Sequence, residues 1–201
     1  MPRQPDLQRK PQLMGEILEY LLDKSLASVS FRTIAQALGV STYTLVYHFG
    51  TRAQLLSEIV SNVSTRAQDI EEMLRSNPAS LDAYIDGLVM SWEWTKEPRN
   101  RQLQRLEFEA SLIEASEPGT HTFSRTLYRS WLRINADALV ALGLTVDEAA
   151  LESRLVVDSM YGLQYDYVLN GDLAPAADLF DALLARHRVR IQALSARPVT
   201  S

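Results

Sequence analysis

Apolar residues recur at three- and four-residue intervals along almost the whole chain, the period of α-helices that pack by one face. From Gln12 to about Ala27, Leu13, Ile17, Leu21 and Leu22 share a face, with Glu16, Glu19 and Asp23 opposite. Ser30 stands where an N-cap belongs, Phe31 to Leu38 reads as a short helix, and Gly39 ends it. Ser41 caps a second short helix, Thr42 to His48, and Gly50-Thr51 breaks the chain again. A long helix then runs from Arg52 to about Ser76, carrying Leu55, Leu56, Ile59, Val63, Ile70 and Met73, and Asn77-Pro78 closes it. Further helices are predicted at Leu81–Lys96, Arg101–Glu114, Thr122–Leu142, Asp147–Leu169 and Pro175–Ser195. Pro98, Glu117-Pro118-Gly119, Gly143 and Asn170-Gly171-Asp172 separate them, and the tail from Ala196 to Ser201 reads as frayed. Alternating β-branched runs are almost absent. The pattern predicts an all-α protein of about nine helices.

The most informative stretch is Ser30 to Arg52. Two helices of about eight residues meet at a turn centred on Gly39, and Ile34, Ala35, Leu38, Val40, Leu45 and Phe49 form an apolar seam that locks them together. The outward positions of the second helix are Thr42, Tyr43, Thr44, Tyr47 and His48. A merely solvated face would carry Lys and Glu. Hydroxyls, a methyl-bearing Thr and aromatics are what a recognition helix needs to reach phosphates and base edges in a major groove.

This stretch resembles the DNA-binding domain of the TetR family of bacterial repressors. The family's Ile-Ala-x-x-x-Gly-Val-Ser turn, followed by Thr-Leu, an aromatic pair, His-Phe and a basic residue, is matched by Ile34, Ala35, Gly39, Val40, Ser41, Thr44, Leu45, Tyr47, His48, Phe49 and Arg52. The likeness spans Leu13 to Leu56; the rest of the chain resembles the family in length, helix count and acidic, apolar character. Two positions depart: Val46 stands where the first aromatic is common, and Tyr43 where a small residue is common. The resemblance implies a helix-turn-helix DNA-binding domain over residues 1–51, a connecting helix over 52–76 and a ligand-binding and dimerisation domain over 77–201. It implies DNA contacts from Ser30, Arg32, Thr33, Ser41, Thr42, Tyr43, Thr44, Tyr47, His48 and Arg52. Arg32 would reach a base or phosphate, Thr42 to Thr44 base edges, and Tyr47, His48 and Arg52 phosphates. The implied partners are a palindromic duplex operator, a small-molecule effector and a second copy of the chain, with no cofactor and no membrane.

Charge changes this picture only in its distribution. The net charge is −5, yet residues 1–64 hold six Lys/Arg against five acids, and the remainder fourteen against twenty. A near-neutral head on an acidic body suits a protein whose DNA contact is confined to one module. Arg3, Arg9 and Lys10 form a solvated tail or an arm tracking phosphates. With no cysteine, thiol catalysis and Cys-ligated zinc are excluded. No apolar run approaches the ~18 residues that span a bilayer, and Met1 to Lys10 lacks the apolar centre of a signal peptide. The expected location is the cytoplasm.

Beyond Pro78 lie most of the aromatics. Taken one by one they read as core; together, Trp and Tyr in the middle of helices suit a cavity with a few polar handles, which the resemblance also implies. Candidate lining residues are Trp92, Phe108, Leu112, Phe123, Tyr128, Trp131, Tyr161 and Tyr165. In the last helix Phe180, Leu184, His187, Ile191 and Leu194 step by four and three, the spacing of helices packed side by side. Leu155 and the mid-helix Gly162 precede them. Packing within the chain explains one such face; the resemblance implies a four-helix dimer interface from two chains, with Leu155, Gly162, Phe180, Leu184, His187 and Ile191 as its expected residues. An enzyme is not expected: His48, His121 and His187 lie far apart, Glu107 and Glu109 point to different sides of a helix, and there is no Gly-rich phosphate loop. The reading is a repressor released from its operator by a small, largely apolar ligand; an activator or a ligand-independent DNA binder of the same fold are its alternatives.

Overall fold

The protein is described by a computed structural model covering residues 8–65, 80–116 and 123–197. The expected helical stretch 66–76, Pro78 and His121 lie outside the described residues. Among those described there is no strand, and nine α-helices follow one another. These are α1 (Arg9–Leu21), α2 (Phe31–Leu38), α3 (Thr42–Phe49), α4 (Arg52–Thr65), α5 (Leu81–Lys96), α6 (Pro98–Ser116), α7 (Phe123–Ala141), α8 (Val146–Asn170) and α9 (Leu173–Ser195). A 3-10 turn, Leu26–Ser28, follows α1.

Three boundaries differ from the periodicity reading by three residues or more, two of them through proline. Helix α1 starts at Arg9 because Pro11 falls in its first turn, where a missing N–H costs no intrahelical bond. Pro98 is likewise the first residue of α6 rather than a gap before it, and the Arg101 N–H closes that turn on the Glu97 carbonyl at 3.0 Å. The third is the end of α1, which stops at Leu21, short of Ala27.

The chain divides into two compact units, residues 1–63 with 105–124, and residues 64–104 with 125–201. The first unit buries Leu13, Ile17, Leu18 and Leu21 of α1 with Ile34, Leu45, Phe49, Leu55 and Ile59 from α2, α3 and α4. Arg105 of α6 closes the C-terminal end of α1. Its guanidinium donates to the carbonyls of Leu21 and Lys24, both at 3.0 Å, and to Leu22 at 3.3 Å, and pairs with Glu109. Glu109 in turn accepts the Leu26 N–H at 2.6 Å and the Ser25 hydroxyl at 3.0 Å. A cation at the negative end of a helix, and a carboxylate on the Leu26 N–H of the turn that follows, fix where α1 stops and the 3-10 turn begins.

The second unit is built on the pair α8 and α9 with α5 and α7. Tyr84, Leu88, Trp92, Ile134, Leu139, Val156, Met160, Phe180 and Ile191 form its core, with the Trp92 and Phe180 rings stacked at 5.0 Å. Polar groups in that core are paired, as the dielectric demands. The Tyr84 hydroxyl lies 3.1 Å from His187 Nε2 and donates to Asn135 Oδ1 at 3.3 Å, and Gln164 donates to the Thr95 hydroxyl at 3.2 Å. Arg190 donates to the buried Glu152 at 2.9 Å. Burial holds His187 below its ordinary pKa, with Glu152 opposing, and drives Tyr84 far upward.

Candidate nucleic-acid interface

Helices α2 and α3 are short, so their ends must be held by side chains. Ser30 and Thr33 do this reciprocally for α2: the Thr33 N–H donates to Ser30 Oγ at 3.3 Å, and the Ser30 N–H to Thr33 Oγ1 at 2.9 Å. The helix ends at Gly39, whose φ of 66° is left-handed, and the Val40 N–H bonds back to Ala35 at 3.0 Å. Two residues later Ser41 caps α3, accepting the Thr44 N–H at 3.0 Å, with the two hydroxyls 2.8 Å apart. Leu45 and Phe49 are buried beneath α3. The turn is thus fixed at both ends and from below, which holds the opposite face of α3 in one orientation.

That face is bare. Tyr43 is 77% and Tyr47 69% exposed, and Val46 and Thr42 are exposed beside them. The two tyrosine rings stack at 6.4 Å, and His48, half-buried, meets the Tyr47 ring edge-on at 5.0 Å. Leaving two large aromatics in water on an eight-residue helix gives up burial that a core would have used. Arg32 is exposed and makes no hydrogen bond or ion pair among the described residues. The segment itself carries no negative charge: from Lys24 to Ser57 the sequence has no Asp or Glu. That 34-residue gap was a signal open to sequence reading, and a head-versus-body count of charge passes over it.

The structure gathers the expected DNA-facing residues into two sets. Arg32, Thr42, Tyr43, Tyr47 and His48 present side chains outward or part-exposed, whereas the hydroxyls of Ser30, Thr33, Ser41 and Thr44 are engaged in caps. Arg52 stands apart from both. Its guanidinium donates to the Leu26 carbonyl at 2.8 Å, so the side chain braces the 3-10 turn while its backbone N–H lies in the first turn of α4.

The residues expected to line a ligand cavity fall in different places. Trp92 lies in the second unit's core against Phe180, and Tyr128 and Tyr161 meet edge-to-face at 5.7 Å with Trp131 partly buried nearby in the same cluster. Tyr128 also donates to Asp158, whose carboxylate pairs with Arg154. Leu112 is 70% and Tyr165 53% exposed. Phe108, half-buried, and Phe123 belong to the first unit. There Phe123 lines a cavity of ≈ 330 Å³ with Leu56, Val60, Ile113 and Arg52.

The expected interface residues also separate. Leu155 is 54% exposed, and Gly162 faces open space, with no atom within 4 Å of where a Cβ would stand. Leu184 is half-buried. Phe180, His187 and Ile191 are buried in their own unit's core. The four-three seam on α9 is its inward face against α5 and α8. The outward faces of α8 and α9 carry Leu151, Leu155, Leu169, Leu179 and Val189 in the open. Apolar residues stand on both faces of α9, and the sequence alone does not say which face turns inward.

Residues 17–59 match the family model described as bacterial regulatory proteins, tetR family. No curated protein matches the sequence. Among solved structures, a transcriptional regulator from Rhodococcus sp. Rha1 superposes with a TM-score of 0.74 at 20% identity, covering 94% of this chain and 99% of its own. GusR of Salmonella enterica gives 0.69 at 16% identity, covering 98% and 99%. NalD, the secondary repressor of the MexAB-OprM multidrug efflux pump in Pseudomonas aeruginosa, gives 0.65 at 18% identity, covering 90% and 95%. At such identities the superpositions speak for the fold.

Proposed function

We propose that the protein is a regulator of the tetR family, whose model its residues 17–59 match, and that it works as a two-fold dimer that represses transcription from a palindromic operator until a small, largely apolar ligand releases it. The observation that carries this reading is the bare face of α3, where Tyr43 and Tyr47 stand exposed on a helix fixed by caps at both ends. In a major groove, Thr42 and Tyr43 contact base edges and Tyr47 and His48 the flanking phosphates. Arg32 supplies a further cation, and the α4 N-terminus offers the Arg52 N–H to a phosphate. The hydroxyls of Ser30, Thr33, Ser41 and Thr44 keep their capping partners and add contacts as acceptors.

Dimerisation follows from scale. A helix of eight residues is about 12 Å long and touches only a few base pairs, too few to select one site in a genome. The exposed Leu155, Leu179 and Val189, and the open space at Gly162, support a partner helix pair, because large apolar side chains are costly to leave in water. A dimer brings two α3 helices to one palindrome, whose half-site centres should lie about one helical turn or somewhat more apart. Binding across a promoter represses, and the sign of regulation is set by where the operator lies.

Selection of bound sites from random duplexes, followed by footprinting, tests the reading. The expected product is a palindrome protected symmetrically about its centre. A non-symmetric site, or preference for single strands, contradicts it.

A further inference from the structure

The first unit's cavity lies beside the residues that hold the reader. Leu56 and Val60 of α4, Ile113 of α6 and Phe123 at the start of α7 give it an apolar wall, and Arg52 and Ser57 part of its polar wall. At ≈ 330 Å³ it has the size of a small-ligand site.

The polar side selects among ligands. Arg52 is exposed and uses its guanidinium on one carbonyl, that of Leu26, with no ion pair among the described residues. Further N–H donors remain on it. The backbone N–H groups of Arg52 and Ala53 lie at the positive end of the fourteen-residue α4, and both residues line the cavity. The other charged liner, Glu114, accepts the Ser124 N–H at 2.8 Å, so its carboxylate already serves the first turn of α7.

We propose that this cavity binds a small carboxylic acid with an aromatic or branched apolar body, its carboxylate on Arg52 and the α4 N-terminus and its body against Leu56, Val60, Ile113 and Phe123. Resting on the operator-binding reading, the same charge that would meet a DNA phosphate is then occupied by the acid. Acid and operator exclude one another at that point, and release needs no signal carried from the second unit.

The test titrates the full-length protein, without DNA, with 4-phenylbutyrate, 4-phenylbutan-1-ol and 4-phenylbutylamine, followed by methyl NMR of Ile, Leu and Val. The acid should move the Leu56, Val60 and Ile113 methyls and bind about tenfold or more tighter than the alcohol, as a charge-assisted contact requires. Ser57→Phe, which fills the cavity, should abolish these shifts. Arg52→Gln should bring the acid-to-alcohol ratio close to one. If Ser57→Phe loses its helical circular dichroism, Ala110→Phe fills the same space from the other wall. The proposal is overturned by shifts confined to other methyls, by no binding of any probe, by an alcohol or amine that binds as well as the acid, or by unchanged binding in the filled variant. A second arm measures operator affinity in saturating 4-phenylbutyrate, which should fall about 5- to 150-fold; unchanged affinity overturns the competition. Should the protein select no duplex at all, the operator reading fails while the NMR arm still judges the cavity.

Discussion

Replacing Arg105 by Gln should loosen the reader from a position distant in sequence from the helix-turn-helix. The guanidinium holds two α1-end carbonyls at 3.0 Å and a third at 3.3 Å, and pairs with Glu109, with the two side chains 23% and 25% exposed. Counting about 1 kcal/mol net for each of the two shorter bonds, and discounting the ion pair to under ~1 kcal/mol for its partial exposure, the loss is about 2–3 kcal/mol. A unit of this size has an unfolding slope of ~1 kcal/mol per molar urea, so its midpoint should drop by about 2–3 M. Urea unfolding with a probe in the first unit, a ¹⁹F label on Tyr43, reads this directly. Glu109→Gln alone should cost less, since it keeps an acceptor for the Leu26 N–H and the Ser25 hydroxyl, and the double variant should cost less than the two single losses added. A midpoint within about 0.3 M of the parent protein, the error of the method, would refute the idea that this clamp holds the end of α1.

Gly39→Val should cost roughly 1–2 kcal/mol through backbone strain alone, because φ is 66° and nothing lies within 4 Å of the new Cβ; thermal unfolding checks it, and Gly39→Asn should cost less. Lowered by burial, the His187 pKa makes the folded protein bind fewer protons than the unfolded chain below about pH 6.5. Stability from this group is therefore full above pH 6.5 and lost as pH falls from there, and the melting temperature of His187→Gln should depend less on pH across that window. Leu155→Glu combined with Val189→Glu, both on exposed positions, should yield a folded monomer by sedimentation; an intact dimer would place the interface elsewhere.

The helix-turn-helix was legible because short-range chemistry fixes it. Ser30, Gly39 and Ser41 each perform their capping role within four residues, and no distant contact can move those boundaries. Legibility fell where both faces of one helix carry apolar residues. The α9 positions Phe180, His187 and Ile191 and their outward neighbours Leu179 and Val189 lie on one helix, and only the contacts with Tyr84 and Trp92 make the first set the inner one. The same holds for aromatics: Trp92 and Tyr165 look alike in sequence, yet one is buried against Phe180 and the other is open to water. Arg105 offered no local sign of its task, because its partners lie more than eighty residues away.

Sequence-specific reading by α3 is tested most directly by the affinity of the parent protein and of Tyr43→Ala for a selected operator and for a scrambled duplex of equal length. The parent protein should prefer the operator by about 10³-fold or more. Tyr43→Ala should lose about 1–3 kcal/mol of that preference per base contact, while its affinity for the scrambled duplex stays as it was. Equal affinity of the parent protein for the two duplexes, or a Tyr43→Ala variant that weakens both alike, would contradict it.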